Sequence, residues 1–155
     1  MSLYRILSIL VITFSFSIAA CPDGIEVCLS LGDQVPAVCS DGVSADQTTC
    51  EANMTCGTAS DEQCEWTGAY RPLNYVTTVN LAGFQFDHNG CITSVSGGDA
   101  SDVYDGISVG SSVVLAFSFS GAVVPAGSGT LLELYGDDIL IDCMGGNIGS
   151  AYCQE

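Results

Sequence analysis

Nine cysteines constrain this chain more than any other feature: Cys21, Cys28, Cys39, Cys50, Cys56, Cys64, Cys91, Cys143 and Cys153. All of them follow residue 20, so about 135 residues carry the whole set. That density in a short chain reads as a disulfide framework made in an oxidising compartment. No Cys-x-x-Cys occurs, which argues against a zinc ribbon and against a thioredoxin-type redox pair. The count is odd, so at least one cysteine needs a separate explanation.

The first twenty residues, MSLYRILSILVITFSFSIAA, offer one. Arg5 supplies a short positive region, and residues 6–20 are an apolar run ending in small side chains. This layout predicts a secretory leader over residues 1–20. The run of 15 falls short of the roughly 20 residues that span a bilayer, and no later segment is apolar enough to do so. The sequence therefore predicts an exported protein without a membrane span. Cys21 follows the expected cleavage point, and the preceding IAA makes a stretch that resembles the lipobox of bacterial lipoproteins. A lipid on Cys21 would leave eight cysteines for four bridges. An ordinary mature N-terminus would leave Cys21 free or paired, and both readings stay open.

Charge narrows the partners. All 18 acidic residues lie after the leader, where Arg71 is the only strong base. Loss of Arg5 takes the formal charge from −16 to −17. Such a chain repels nucleic acid and anionic lipid. The acids are scattered rather than clustered, as on a solvated surface.

The chain after the leader divides near residue 70. Residues 21–70 hold six cysteines and few large apolar side chains, so bridges must supply their order. Ser44–Gln47 and Ser60–Gln63 both have the Ser-x-x-Gln form of a capping box and predict two short helical turns. Asn53 opens an Asn-Met-Thr sequon, a candidate glycosylation site.

Residues 71–155 read as strands with glycine-rich punctuation. In VVLAFSFS, Val113, Leu115, Phe117 and Phe119 share one face, with Val114 and Ala116 on the other. The four phenylalanines Phe84, Phe86, Phe117 and Phe119 are expected to pack inside. Residues 74–87 predict one strand bulged at Ala82-Gly83, running through His88-Asn89-Gly90 into a hairpin. CITSVS, GTLLEL and DILIDC predict further strands. In the last, Ile139, Ile141 and Cys143 share a face, so Cys143 is expected to point inward and pair with Cys91 or Cys153. Short strands at close spacing predict a mainly β fold, an antiparallel β-sandwich with a small disulfide-rich N-terminal segment.

Little in the chain announces chemistry. His88 is the only histidine, is expected in a solvated turn, and no Gly-x-Ser-x-Gly accompanies it. A glycoside hydrolase needs two carboxylates in unlike environments, and no pair is marked. Asp99, Asp102 and Asp105, three apart before Gly106, are candidate calcium ligands. No other cofactor is called for. Trp66 and Tyr70, four apart at the junction, are candidate ligand-stacking aromatics.

The stretches LAGFQFDHNG, ITSVSGGDASD and VVLAFSFSGAVVPAGSGTLLEL together resemble cohesin-type modules and related secreted carbohydrate-associated proteins. The resemblance covers about residues 74–135, and the pattern's first strands have no obvious counterpart before Asn74. It implies a jelly-roll sandwich, related to carbohydrate-binding modules, that recognises a polysaccharide or an extracellular protein and does no chemistry. The expected function is thus a non-catalytic binding module at a cell or particle surface. A structural or adhesive surface protein, lipidated or not, is the alternative.

Overall fold

A computed structural model describes residues 26–53, 56 and 63–144. The leader, Cys21, Cys153 and most of the second expected capping box lie outside the described residues. The fold is mainly β and all strand pairing is antiparallel. A four-stranded sheet has the order β1 (Val27–Leu31), β4 (Arg71–Thr77), β9 (Gly127–Gly136), β6 (Ile92–Ser96). A three-stranded sheet has the order β5 (Gly83–Asp87), β8 (Val113–Phe117), β7 (Gly106–Val109). A two-residue ribbon pairs β2 (Val38–Cys39) with β3 (Trp66–Thr67).

Both larger sheets turn apolar side chains into one core, as a sandwich requires. Leu73, Tyr75, Leu132 and Leu134 come from the four-stranded sheet, and Phe84, Val114 and Ala116 from the three-stranded one. Strict alternation cannot bury the neighbours Leu131 and Leu132, yet both are buried. The register shifts between Leu73 and Asn74 opposite them, so Leu131 is the extra residue of a bulge. β1 pairs with β4 over five residues, and Val27, Leu29 and Leu31 join this core. The sheet thus begins inside the cysteine-rich segment, and β1 stands where the sequence showed no counterpart.

The chain does not run as one bulged strand from Asn74 to Asp87. β4 ends at Thr77 in one sheet and β5 begins at Gly83 in the other. Between them Leu81 forms an isolated bridge with Val124, where the connection from β8 to β9 crosses back. Both residues are buried, and Tyr104 donates its hydroxyl to the Leu81 carbonyl at 2.6 Å. His88-Asn89-Gly90 is likewise no hairpin turn, because β5 and β6 belong to different sheets. Glycine before Phe84 marks a change of sheet, and alternation within one strand cannot show that.

Two helices of six residues complete the described chain. α1 (Gln47–Ala52) is capped by Asp46, which accepts the Thr49 N–H at 3.0 Å. The helix therefore starts two residues later than the Ser44 box implied, and Ser44 instead donates its N–H to Asp41 at 2.8 Å. α2 (Gly98–Val103) packs on β9, latched by the Tyr75 hydroxyl donating to Asp99 at 2.7 Å. DILIDC ends in a 3-10 turn, Ile141–Met144, rather than a strand.

Three disulfides close within the described residues: Cys39–Cys50, Cys56–Cys64 and Cys91–Cys143. Cys143 is buried and takes Cys91, one of its two expected partners. Cys28 is also disulfide-bonded. Cys39, Cys50 and Cys64 form a small core of their own with Trp66 and Cys56 against it. Several bridges fit an extracellular, oxidising environment. Among the described residues no helix is long and apolar enough to cross a membrane.

Candidate functional site: the outer face of the three-stranded sheet

The face of β8 is the reverse of the one its alternation predicts. Val114 and Ala116 are fully buried, while Leu115 is 37% exposed and Val113 and Phe117 are half-buried. Phe119, just past the strand, is 80% exposed. Phe84 is buried and Phe86 packs partly into the core, so only two of the four phenylalanines fill the interior. The reason is spatial. Between the two sheets the small Val114 and Ala116 share the core with Leu132 and Leu134, and the wider side chains take the open side.

Neighbouring strands make room for the outward ring. Phe117 stands opposite Gly83 on β5 and opposite Gly106 on β7. A Cβ at Gly106 would come within 3.1 Å of Phe117 Cζ, and one at Gly83 within 3.2 Å of Phe117 Cβ. The ring thus covers ground that side chains would otherwise occupy. Phe119 meets it edge-on, with centroids 4.6 Å apart and planes at 73°, an arrangement aromatic quadrupoles favour. Asp105 fixes the Phe119 backbone by accepting its N–H at 2.8 Å.

Beside the rings lies an open groove of about 370 Å³, lined by Ala82, Gly83, Gln85, Leu115 and Phe117 among others. Gln85 and Asp87 flank the strip on β5, and Ser108 flanks it on β7. An apolar line bordered by amide, carboxylate and hydroxyl groups can stack a flat ligand and hydrogen-bond its edges.

Of the residues singled out from sequence, Asp105 reaches this face through Phe119, and the others have different neighbours. Trp66 is half-buried against the disulfide cluster, while Tyr70 leans on Tyr135 at 5.6 Å, so the two rings serve different neighbours. Asp99, Asp102 and Asp105 are not gathered at one point. Asp99 binds Tyr75, Asp105 binds the Phe119 N–H, and Asp102 lies exposed on α2 between them. Among the described residues the one group of three ligand atoms within 4.8 Å of one another is Cys39, Asp41 and Cys64. Both of its sulfurs are already in disulfides. Asn53 caps α1, and its side-chain amide donates to Asp41 at 3.1 Å.

Hydrogen bonding sets the ionisation of several groups. Asp41 is held well below the usual carboxylate range by the Ser44 hydroxyl and by the Ser44 and Val43 N–H groups. Asp46 is lowered by the Thr49 N–H and hydroxyl. Burial, with the Asp99 carboxylate beside it, pushes Tyr75 up to about 12.

His88 is not solvated but buried, at 4% exposure. Its ring lies 3.1 Å from the Gly110 carbonyl through Nε2, and Nδ1 accepts the Gly90 N–H at 3.2 Å. It ties the turn after β5 to the turn between β7 and β8. Among known protein families, curated proteins and solved structures, none matches this chain.

Proposed function

We propose that this chain is an exported, non-catalytic binding module that recognises a polysaccharide at a cell or particle surface. The outer face of the three-stranded sheet is its platform. One observation carries the reading: Phe119, Leu115 and the half-buried Phe117 form an outward-facing apolar strip although smaller neighbours fill the core beneath them. Contiguous apolar surface on a soluble domain marks a place of contact. Here it is mounted on a rigid sheet with polar groups at its border.

Charge favours an uncharged ligand. A net charge of −16 repels anionic polymers, whereas a neutral sugar offers an apolar face to Phe117 and hydroxyls to Gln85, Asp87 and Ser108. The cohesin-like stretches point to the same class of surface module. The leader over residues 1–20 would export it, and Cys21 would supply a lipid anchor if the lipobox-like stretch is used.

The test is a glycan-array screen of the oxidised chain lacking its leader, in calcium and then in chelator. Saturable binding to a defined neutral glycan supports the reading. Loss on chelation would show that binding needs a divalent cation. A blank array contradicts a polysaccharide ligand and turns the search to an extracellular protein or a structural surface role.

A further inference from the structure

The buried histidine and the turn it clamps carry a second, independent inference. We propose that Asn89-Gly90 is a self-modifying site, at which His88 acts as the base that converts Asn89 to a succinimide and then to aspartate or isoaspartate.

Three features converge there. First, the nucleophile is the backbone nitrogen of Gly90, which carries no Cβ to shield it and adopts φ 93°, a left-handed value suited to glycine. Second, Asn89 is exposed, so water can reach its side-chain carbonyl. Third, the Gly90 N–H already points at a base, donating to His88 Nδ1 at 3.2 Å. That nitrogen must carry the lone pair, because Nε2 is the one facing the Gly110 carbonyl, 3.1 Å away, and must hold the proton. A carbonyl that fixes the tautomer of a histidine is how a general base is made ready. Burial of the ring holds it in that orientation.

The chemistry balances without a co-reactant other than water. His88 Nδ1 takes the Gly90 proton as the nitrogen attacks Asn89 Cγ, forming the N–Cγ bond. The proton passes to Asn89 Nδ2, the Cγ–Nδ2 bond breaks, and ammonia leaves. Water then opens the imide at either carbonyl, giving aspartate or an isoaspartate whose backbone is one methylene longer. The site matters to the fold. Asn89 donates its backbone N–H to the Cys143 carbonyl at 2.8 Å and its side-chain amide to the Asp142 carbonyl at 3.3 Å. Cys143 is bridged to Cys91 beside the turn. A lengthened backbone at Asn89 would shift the attachment of the 3-10 turn, and each event adds one negative charge.

The test is peptide mapping of the oxidised folded chain during incubation at neutral pH, with isoaspartate scored by methyltransferase labelling. Conversion is expected at Asn89 well ahead of Asn74 and Asn80, and faster in the folded chain than in the reduced, urea-unfolded chain. His88→Gln, which keeps an acceptor but loses the base, should slow conversion at least tenfold in the folded chain and leave the unfolded rate unchanged. Conversion no faster folded than unfolded would overturn the proposal, and so would a folded His88→Gln protein that converts at the wild-type rate. The folded-to-unfolded comparison on the wild-type chain decides the matter even if the variant does not fold.

Discussion

Phe117 and Phe119 show what side-chain identity alone leaves open. In VVLAFSFS both parities are apolar as far as Ala116, and the face with more apolar surface is the one that points outward. The choice is made by space between the sheets, where Val114 and Ala116 meet a leucine layer. Two signals in the sequence bear on it: the glycines that pair with Phe117 and the small residues between the larger ones. They acquire meaning only once the register is known. Asp105 gives the residue-scale test of how the strip is held. Asp105→Ala should leave thermal stability within about 0.5 kcal/mol, as for surface substitutions generally, yet weaken ligand binding by freeing Phe119. Unchanged affinity would show that Phe119 needs no such anchor. Tyr75 offers a second test. Its folded value of about 12 lies above the ordinary value near 10, so the latch to Asp99 is complete below pH about 10 and weakens as pH rises towards 12. Spectrophotometric titration of the wild-type chain against Tyr75→Phe should place one tyrosine near 12. Ionisation of Tyr75 near the ordinary value of about 10 would contradict the latch.

At the scale of elements, strand identity was readable and strand partnership was not. β5, β6, β8 and β9 fall on stretches whose pattern announces them. The alternation of sheets is invisible in the same pattern, because a crossover such as Leu81 with Val124 is made by tertiary pairing. β1, interrupted by cysteine and serine, does not stand out until β4 pairs with it. α1 begins two residues later than the Ser44 box implies because Asp46 accepts the free Thr49 N–H while Ser44 is tied to Asp41. The carboxylates around α1 predict an acid response. Asp41 and Asp46 are both lowered in the folded chain. Their contribution is therefore present above the ordinary carboxylate range near pH 4 and is lost as pH falls below it. Amide resonances of Val43, Ser44 and Thr49 should hold their positions down to about pH 4 and move only in stronger acid. Movement centred at or above pH 4 would contradict the hydrogen bonding described.

For the whole molecule, two kinds of core divide the labour. The main core draws its aliphatic and aromatic side chains from both sheets and holds one bridge, Cys91–Cys143, while the ribbon of β2 and β3 with α1 rests on two disulfides and one tryptophan. Reduction should dissolve the second and weaken the first only through Cys91–Cys143, since each bridge contributes roughly 2–4 kcal/mol by restricting the unfolded chain. Hydrogen exchange in reductant should therefore open residues 38–67 before the β4–β9 pair, with a fall in melting temperature. An unchanged melting temperature in reductant would contradict a disulfide-built segment.

The molecule's central feature is an aromatic platform on an acidic, disulfide-bonded β domain. Its most direct test is co-sedimentation with insoluble neutral polysaccharides, comparing the wild-type chain with Phe117→Ala and Phe119→Ala. Saturable wild-type binding is expected, with each variant folded but at least tenfold weaker, about 1.4 kcal/mol. Binding that survives both substitutions, or no binding by the wild-type chain to any neutral polysaccharide, would contradict such a platform.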